Sequence, residues 1–415
     1  MSIAYRCLVF AVAFASVAVS VSGDNIDSLL GPAPGTYRIL SDDGTIRVSF
    51  ELFRGDIRFA CEVNGRPVKM LIDNGFLWDP LLFFGSPTVD SLGLEYDGEA
   101  EVSGGGDGDA VQSKTASGIT VSFPDVEFYE QTAIITPYSS GHSRIWWGAE
   151  GQLSATFLKH FVVEFDFDEM VMTLIRPDEF VYRGGGAELS IKHLMNNSWA
   201  IPATVKFADG KAMQLDLAMD LGLGDALHFV AGGPVGIRIP EEAVEASLGY
   251  GVQGEIRGAF ARVRRVTIGD YEFDDVLAGF VAEDYQGSTF HEATIGMELL
   301  SRFNFIYDYP HGRMYIEPNE TFGESFEYNM TGLSMRPGQG EYLEIVRVLP
   351  NSPAEEVGLG AGDRVLQING RAAVDYDVWE LRPMFRRAGE TVRLVVLRKG
   401  AEAEEEMKLT LRRLL

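Results

Sequence analysis

The sequence predicts a mostly β protein, with two similar β lobes followed by a small α+β domain. Three observations carry this prediction. An apolar strand ending in an aspartate and a glycine occurs twice, as Met70-Leu71-Ile72-Asp73-Asn74-Gly75-Phe76 and as Leu217-Ala218-Met219-Asp220-Leu221-Gly222-Leu223. The elements around each copy recur in the same order. Residues 326–415 then follow a different pattern. Each copy reads as a buried strand that delivers a carboxylate into a tight turn, where glycine takes backbone conformations other residues resist.

The chain of 415 residues is long enough for two or three domains. Apolar residues make up 46% and charged residues 23%, the balance of a globular chain that buries a real core. A formal net charge of −26 argues against nucleic acid, since nothing would neutralise a phosphate backbone, and against an anionic membrane surface.

Residues 1–23 read as an export signal. Arg6 is its short basic region, Cys7 opens the apolar core, and Ser20-Val21-Ser22-Gly23 offers small residues for cleavage before Asp24. The apolar run is about 16 residues, short of the ~20 that span a bilayer. Cleavage would remove Cys7 and leave Cys61 alone, so no intrachain disulfide is expected. Export without disulfides points to a bacterial periplasm ahead of a eukaryotic secretory route. Residues 24–44, with Pro32 and Pro34, are expected to form a mobile leader. Asn-x-Ser/Thr sequons at Asn196, Asn319 and Asn329 are compatible with chance.

The first lobe is expected over 45–182. Residues 46–52 and 57–63 alternate apolar and polar, Asn64-Gly65 reads as a hairpin turn, and residues 68–72 return to Asp73. Gly104-Gly105-Gly106-Asp107-Gly108-Asp109 reads as a flexible hairpin tip, because it lacks the spacing and terminal Glu of a calcium loop. Further strands follow at 118–123 and 126–128. Trp146-Trp147 are assigned to the lobe core. Gly151-Gln152-Leu153 leads into a helical pattern at 155–159, and residues 161–167 and 172–175 form a hairpin turning at Asp168-Glu169. Arg183-Gly184-Gly185-Gly186 is the linker.

The second lobe, 187–320, repeats this order: a strand at 199–207, a turn at Asp209-Gly210, and a strand at 213–219 entering Asp220. A glycine-rich stretch follows with Gly249, Gly251, Gly254 and Gly258, then a hairpin at 266–273 and Ile295-Gly296. Residues 158–167 and 300–309 carry Leu, Phe and Asp in one register, with aromatics flanking the Asp. A repeat of this length means two similar lobes. In the last domain, 346–354 runs a strand into a helix start and Gly358-Leu359 ends that helix. Residues 362–370 give a strand and a turn, 378–386 a helix, and 391–398 and 406–411 the closing strands.

The two lobes resemble the aspartic peptidases of the pepsin-like and retropepsin-like group, in which each lobe donates an Asp from an Asp-Thr/Ser-Gly motif. Asp73 and Asp220 match that Asp, and Gly75 and Gly222 its Gly. The stretches holding Gly105 and Gly106, and Gly251 and Gly254, fall where the family has its flaps; Gly151 and Gly296 are matched to its second motif in each lobe. Residues 326–415 resemble a PDZ domain through Ser352-Pro353-Ala354, Gly358-Leu359, Gly362-Asp363 and Ile368-Asn369-Gly370. Gly332-Leu333-Ser334-Met335 sits where that family carries its carboxylate-binding loop, which implies that the amides of Leu333, Ser334 and Met335 hold a peptide C-terminus.

The resemblance implies endopeptidase chemistry on protein or peptide substrates, by a monomer without metal or cofactor. Two adjacent carboxylates cannot both ionise, so they share one proton; one member takes a proton from water while the other hydrogen-bonds the scissile carbonyl. The chain departs from the motif at Asn74 and Leu221, where the family has Thr or Ser. The alternative is therefore a non-catalytic, peptide-binding relative of the same fold. The six histidines lack metal-ligand spacing, and no Gly-x-Ser-x-Gly or phosphate-binding Gly-Lys loop occurs. Cys61, inside an apolar strand, is expected to be a core residue.

Overall fold

Asn64 and Gly65 take φ of 50° and 72°, the turn that an Asn-Gly pair between alternating strands predicts. The computed structural model that shows this describes residues 18–21, 37–41, 44–53, 55–75, 81–106, 108–137, 148–154, 158–194, 198–282, 291–338, 340–376 and 378–415. Most of the expected export signal and leader, Phe76, Asp107, Trp146-Trp147, the expected helix start at 155–157 and the Asn196 sequon lie outside the described residues. The chain divides into two compact units, Met1–Glu324 and Ser325–Leu415.

In the first unit the turn joins Asp56–Val63 to Arg66–Asp73. Alternation buries Ile57, Phe59, Cys61 and Val63 on one face, and the second strand is wholly buried from Met70 to Asp73. Leu81–Phe84 lies parallel to the long strand Val126–Thr136, and the hairpin Tyr96–Ser103/Val111–Phe123 rises between them in sequence. Gly151–Ser154 then inserts beside Arg66–Asp73, in parallel, and Leu81–Phe84, antiparallel. Val111–Phe123 also bonds back to the first hairpin, with Glu62 opposite Ser122.

Every one of these relations recurs in the second half. Trp199–Lys206 and Ala212–Met219 form the hairpin. Leu227–Ala231 lies parallel to Tyr271–Ala282, and Val244–Gly251/Gly254–Ile268 is the projecting hairpin. Ala293–Ile295 inserts in parallel beside Ala212–Met219 and antiparallel beside Leu227–Ala231. Gly254–Ile268 bonds back to Trp199–Lys206, with Thr204 opposite Thr267. The duplication is thus one of strand topology, not only of sequence.

The two halves meet in a central antiparallel sheet. Val162–Asp166 pairs with Phe303–Asp308; Val171–Ile175 flanks the first of these strands and Arg313–Pro318 the second. Val163 lies opposite Tyr307, Glu164 opposite Ile306, and Phe165 opposite Phe305. The sequence equivalence of Val163 with Phe305 and of Phe165 with Tyr307 exchanges the outer two pairs and returns the middle one to itself. A local two-fold axis therefore passes through the Glu164–Ile306 pair. The repeated aspartate has a local task here: Asp166 Oδ1 accepts from the amides of Asp168 and Glu169, and Asp308 Oδ1 from that of His311, closing each hairpin's turn.

Two features differ from expectation. Tyr37–Ile39, placed in the mobile leader, pairs with Val126–Thr136 because Tyr37 packs its ring on Phe128 and Phe161. Ala18–Val21, inside the expected export signal, pairs with Tyr96–Ser103. The second glycine-rich stretch lies on the projecting hairpin: Gly258 lies opposite Ala246, where an added β-carbon would meet Phe280 O at 2.4 Å.

The second unit is a sheet ordered Leu333–Pro337, Leu343–Val348, Arg364–Ile368, Thr391–Leu397, Glu404–Thr410. Helices Pro353–Glu356 and Val378–Met384 accompany it. Ser352 caps the first helix by accepting from the Glu355 amide, with Pro353 in the first turn. Asn369 and Gly370, at φ 50° and 84°, form the expected tight turn. Its core holds Leu333, Ile345, Val365, Leu381, Phe385 and Leu394, among others.

Candidate functional site

Asp73 and Asp220 end equivalent buried strands and are themselves buried. Each folds its carboxylate back on its own turn: Gly75 N donates to Asp73 Oδ1 at 2.8 Å and Gly222 N to Asp220 Oδ1 at 2.9 Å. Each carboxylate also lies against the opposite lobe's glycine. A β-carbon on Gly75 would sit 2.7 Å from Asp220 Cγ, and one on Gly222 2.6 Å from Asp73 Cγ. Real β-carbons do not approach that closely, so neither turn admits alanine without separating the carboxylates. From sequence alone, these glycines are expected for their backbone freedom. Both have φ outside the left-handed region, and what requires them is space for the facing carboxylate.

Burial first, and then the Asp73 carboxylate beside it, hold Asp220 well above the usual carboxylate range; the amides of Gly222 and Leu223 oppose that shift. Asp73 receives a further bond, from Gln152 Nε2 to Oδ2 at 3.0 Å. Asn74, at the motif's first departure, is buried, and its Oδ1 accepts from Leu221 N at 2.6 Å. The bond crosses between lobes. The backbone of Leu221 thus does what its side chain cannot.

Tyr307 and Tyr309 lie near Asp220 and Asn74, with ring centroids 5.1 Å apart. Tyr307 donates to Met219 Sδ. Burial first, then Tyr309 and Asp220, push its phenol well up; burial likewise raises Tyr309, against the pull of the Asn74 side chain. Both are neutral neighbours of the carboxylate pair.

The hairpin tips come together. Gln253 N donates to Gly105 O at 2.9 Å, Gly108 N to Gln253 O at 2.7 Å, Gly104 N to Gln253 Oε1 at 3.0 Å, and Gln253 Nε2 to Gly108 O at 2.7 Å. Gly251 and Gly106 permit the approach: an added β-carbon would meet Gly105 O at 2.2 Å or Gln253 C at 2.3 Å. Gly106 and Gly254 also take positive φ, 120° and 111°. Val252 packs into the first lobe's cluster with Leu71, Leu82 and Val102. The four flap glycines therefore meet at one point, joined by Gln253 and Val252, which no sequence motif marks.

No motif marks Gln152 in the sequence. A glutamine in an otherwise apolar buried strand demands a partner, and that was the available signal. The strand register revises one further equivalence. Ser154, not Gly151, lies opposite Asp73, while Gly296 follows Ile295 beside Asp220. Gly151 and Gly296 answer separate close approaches, to Leu82 O at 2.2 Å and Asp225 O at 2.3 Å.

In the second unit Gly332, at φ +77°, sits against Ser352, where a β-carbon would meet Ser352 Cβ at 2.2 Å. Leu333 N donates to Thr331 Oγ1 at 3.0 Å, so that amide is already engaged. Ser334 and Met335 follow on a strand at the sheet's edge. The Asn329 amide, bonded to Leu333 O, and that of Asn319, bonded to Ser301 O, are likewise in use.

Burial, then the carboxylates of Glu150 and Glu62, push the Cys61 thiol up to about 12, which keeps it protonated at neutral pH. Among the described residues no three His, Cys, Asp or Glu side chains converge to hold a metal.

Residues 344–398 match the PDZ domain family, and the C-terminal unit is a PDZ domain. No curated protein matches the chain. One similar solved structure is a photosystem II D1 C-terminal processing protease, 24% identical over 20% of this chain and 23% of that one, with a TM-score of 0.19. Another is the PDZ domain of a carboxy-terminal protease from Vibrio cholerae in complex with a peptide, 19% identical over 20% of this chain and 94% of that one, also at 0.19. The PDZ fold implies that the C-terminal unit binds peptide.

Proposed function

We propose that the chain is an exported aspartic-type endopeptidase whose PDZ domain binds peptide C-termini. The observation that carries this reading is the placement of two buried carboxylates, each lodged against the other lobe's glycine. One carboxylate of such a pair is ionised and takes a proton from water as the water oxygen bonds to the scissile carbonyl carbon. The other gives its proton to the carbonyl oxygen. When the carbon–nitrogen bond breaks, the proton taken from water passes to the amine, and a hydroxyl proton of the tetrahedral carbon restores the pair. Flaps that part and close admit an extended chain and exclude water. On the PDZ domain we assign the terminal carboxylate to the amides of Ser334 and Met335. The export part of the proposal rests on residues 1–23.

Digestion of an unfolded protein by the purified chain, from mildly acid to neutral pH, tests the proposal. Cleavage by the parent and its loss in both Asp73→Asn and Asp220→Asn is expected. A second reading, peptide binding without cleavage, is favoured by the apolar Leu221 side chain in the motif. No cleavage by the parent, with peptide binding intact, would establish that reading instead.

A further inference from the structure

The two lobes are equivalent in topology, yet their carboxylates are not equivalent in partners. Gln152 and Thr294 occupy the same place in the two inserted strands: Gln152 lies opposite Leu71, two residues before Asp73, and Thr294 opposite Ala218, two before Asp220. Both are buried. Gln152 reaches Asp73 Oδ2 through Nε2, its amide N–H group, which can only donate. Thr294 offers a hydroxyl on a side chain two bonds shorter. Each aspartate has its own turn amide, at 2.8 and 2.9 Å, and the Leu223 amide also favours charge on Asp220, so the backbone bonds do not single out Asp73. The Gln152 bond does.

We propose that Gln152 is a positioning residue that places the negative charge of the pair on Asp73 and the shared proton on Asp220. A donor aimed at one of two buried carboxylates favours the charged form of that one, because a bond to an ionised acceptor is about twice as strong as a neutral one. Among the described residues, the titratable groups beside the pair include Tyr307, near Asp220, and Tyr309, near Asn74, both neutral phenols. The inference rests on the peptidase reading only for its consequence: Asp73 is then the base that takes the water proton, and Asp220 the acid that protonates the carbonyl oxygen. Burial and then Asp73 raise Asp220, a shift in the direction this assignment requires.

The test is a site-resolved titration of the full chain carrying carboxyl-¹³C aspartate, with the Asp73 and Asp220 resonances assigned by their loss in Asp73→Asn and Asp220→Asn. Between the pair's two titration steps, Asp73 is expected to show the ionised shift and Asp220 the protonated one. In Gln152→Met, similar in length but without a donor, the lower step is expected to rise by about one pH unit, a tenfold change in proton affinity. A purely structural Gln152 would lower stability and leave that step in place, which would overturn the proposal. Charge on Asp220 in the parent would overturn it equally, and that measurement stands even if Gln152→Met fails to fold. A chain that cleaves nothing yet carries its charge on Asp73 would sink the peptidase reading alone. A chain that cleaves with its charge on Asp220 would sink the Gln152 assignment alone.

Discussion

Asn74 of the first lobe accepts, through Oδ1, a 2.6 Å hydrogen bond from the backbone N–H of Leu221 in the second. Both residues are buried. Their types depart from the Asp-Thr/Ser-Gly pattern, yet together they keep a link between the two turns that hold the carboxylates. A backbone donor needs no particular side chain, which is why leucine is tolerated at 221.

Asn74→Ala would strand the Leu221 amide without its acceptor in a buried site. The expected cost is about 1–3 kcal/mol. Chemical unfolding would read it as a lower midpoint at unchanged slope. Cleavage should fall too, because the turns lose their mutual register. An Asn74→Ala protein as stable as its parent would show that the bond has no structural weight.

Acidification bears on Asp220. Its proton is held more tightly in the folded chain than in the unfolded one, through burial and then Asp73. Its stabilising contribution is therefore full below the ordinary aspartate value of ~3.9 and is lost as pH rises through the folded value. Asp220→Asn removes the group that suffers this loss. The variant should exceed its parent in stability at pH 8, with the gap narrowing toward pH 4. Urea midpoints at the two pH values measure it, and a gap that widens on acidification would contradict the assignment.

The flap tips make a third case. Gln253→Ala removes two side-chain bonds, to Gly104 N and Gly108 O, each contributing about 0.5–1.5 kcal/mol. Gly106→Ala goes further, since its β-carbon would lie 2.3 Å from Gln253 C at a φ of +120°. Amide exchange at residues 100–106 and 249–254 should speed up in both, more in Gly106→Ala. Exchange no faster than in the parent would mean that the tips stand closed without these contacts.

In the PDZ domain, Asp363 accepts from the amides of Lys399 and Gly360 and from Arg398. Burial acts against its charge, but those donors prevail and lower it below the usual aspartate value. Its contribution is present above pH ~3.9 and disappears as pH falls through the lowered folded value. Asp363→Asn is expected to cost about 2 kcal/mol at pH 7, and less near pH 2. Thermal unfolding of the full chain at the two pH values would show the difference.

Local pattern sufficed wherever a feature is set by neighbours in sequence. The turns at Asn64-Gly65 and Asn369-Gly370, the Ser352-Pro353 helix start and the alternating strands were legible from residue type alone, because φ preference, capping and side-chain alternation act within a few residues. The duplication was legible too, since a repeated order of elements needs no coordinates. What the sequence determined by itself is thus a mostly β chain with two like halves, a PDZ domain, and two aspartates in matching places. Only the tertiary structure decided how those halves meet: the pairing of Val162–Asp166 with Phe303–Asp308, the lodging of each carboxylate against the opposite glycine, the bond from Gln152 to Asp73, and the meeting of the flaps on Gln253. Each joins residues far apart in the chain, and a contact across that distance is set by close packing of whole strands, which leaves no periodic trace in the residues that make it.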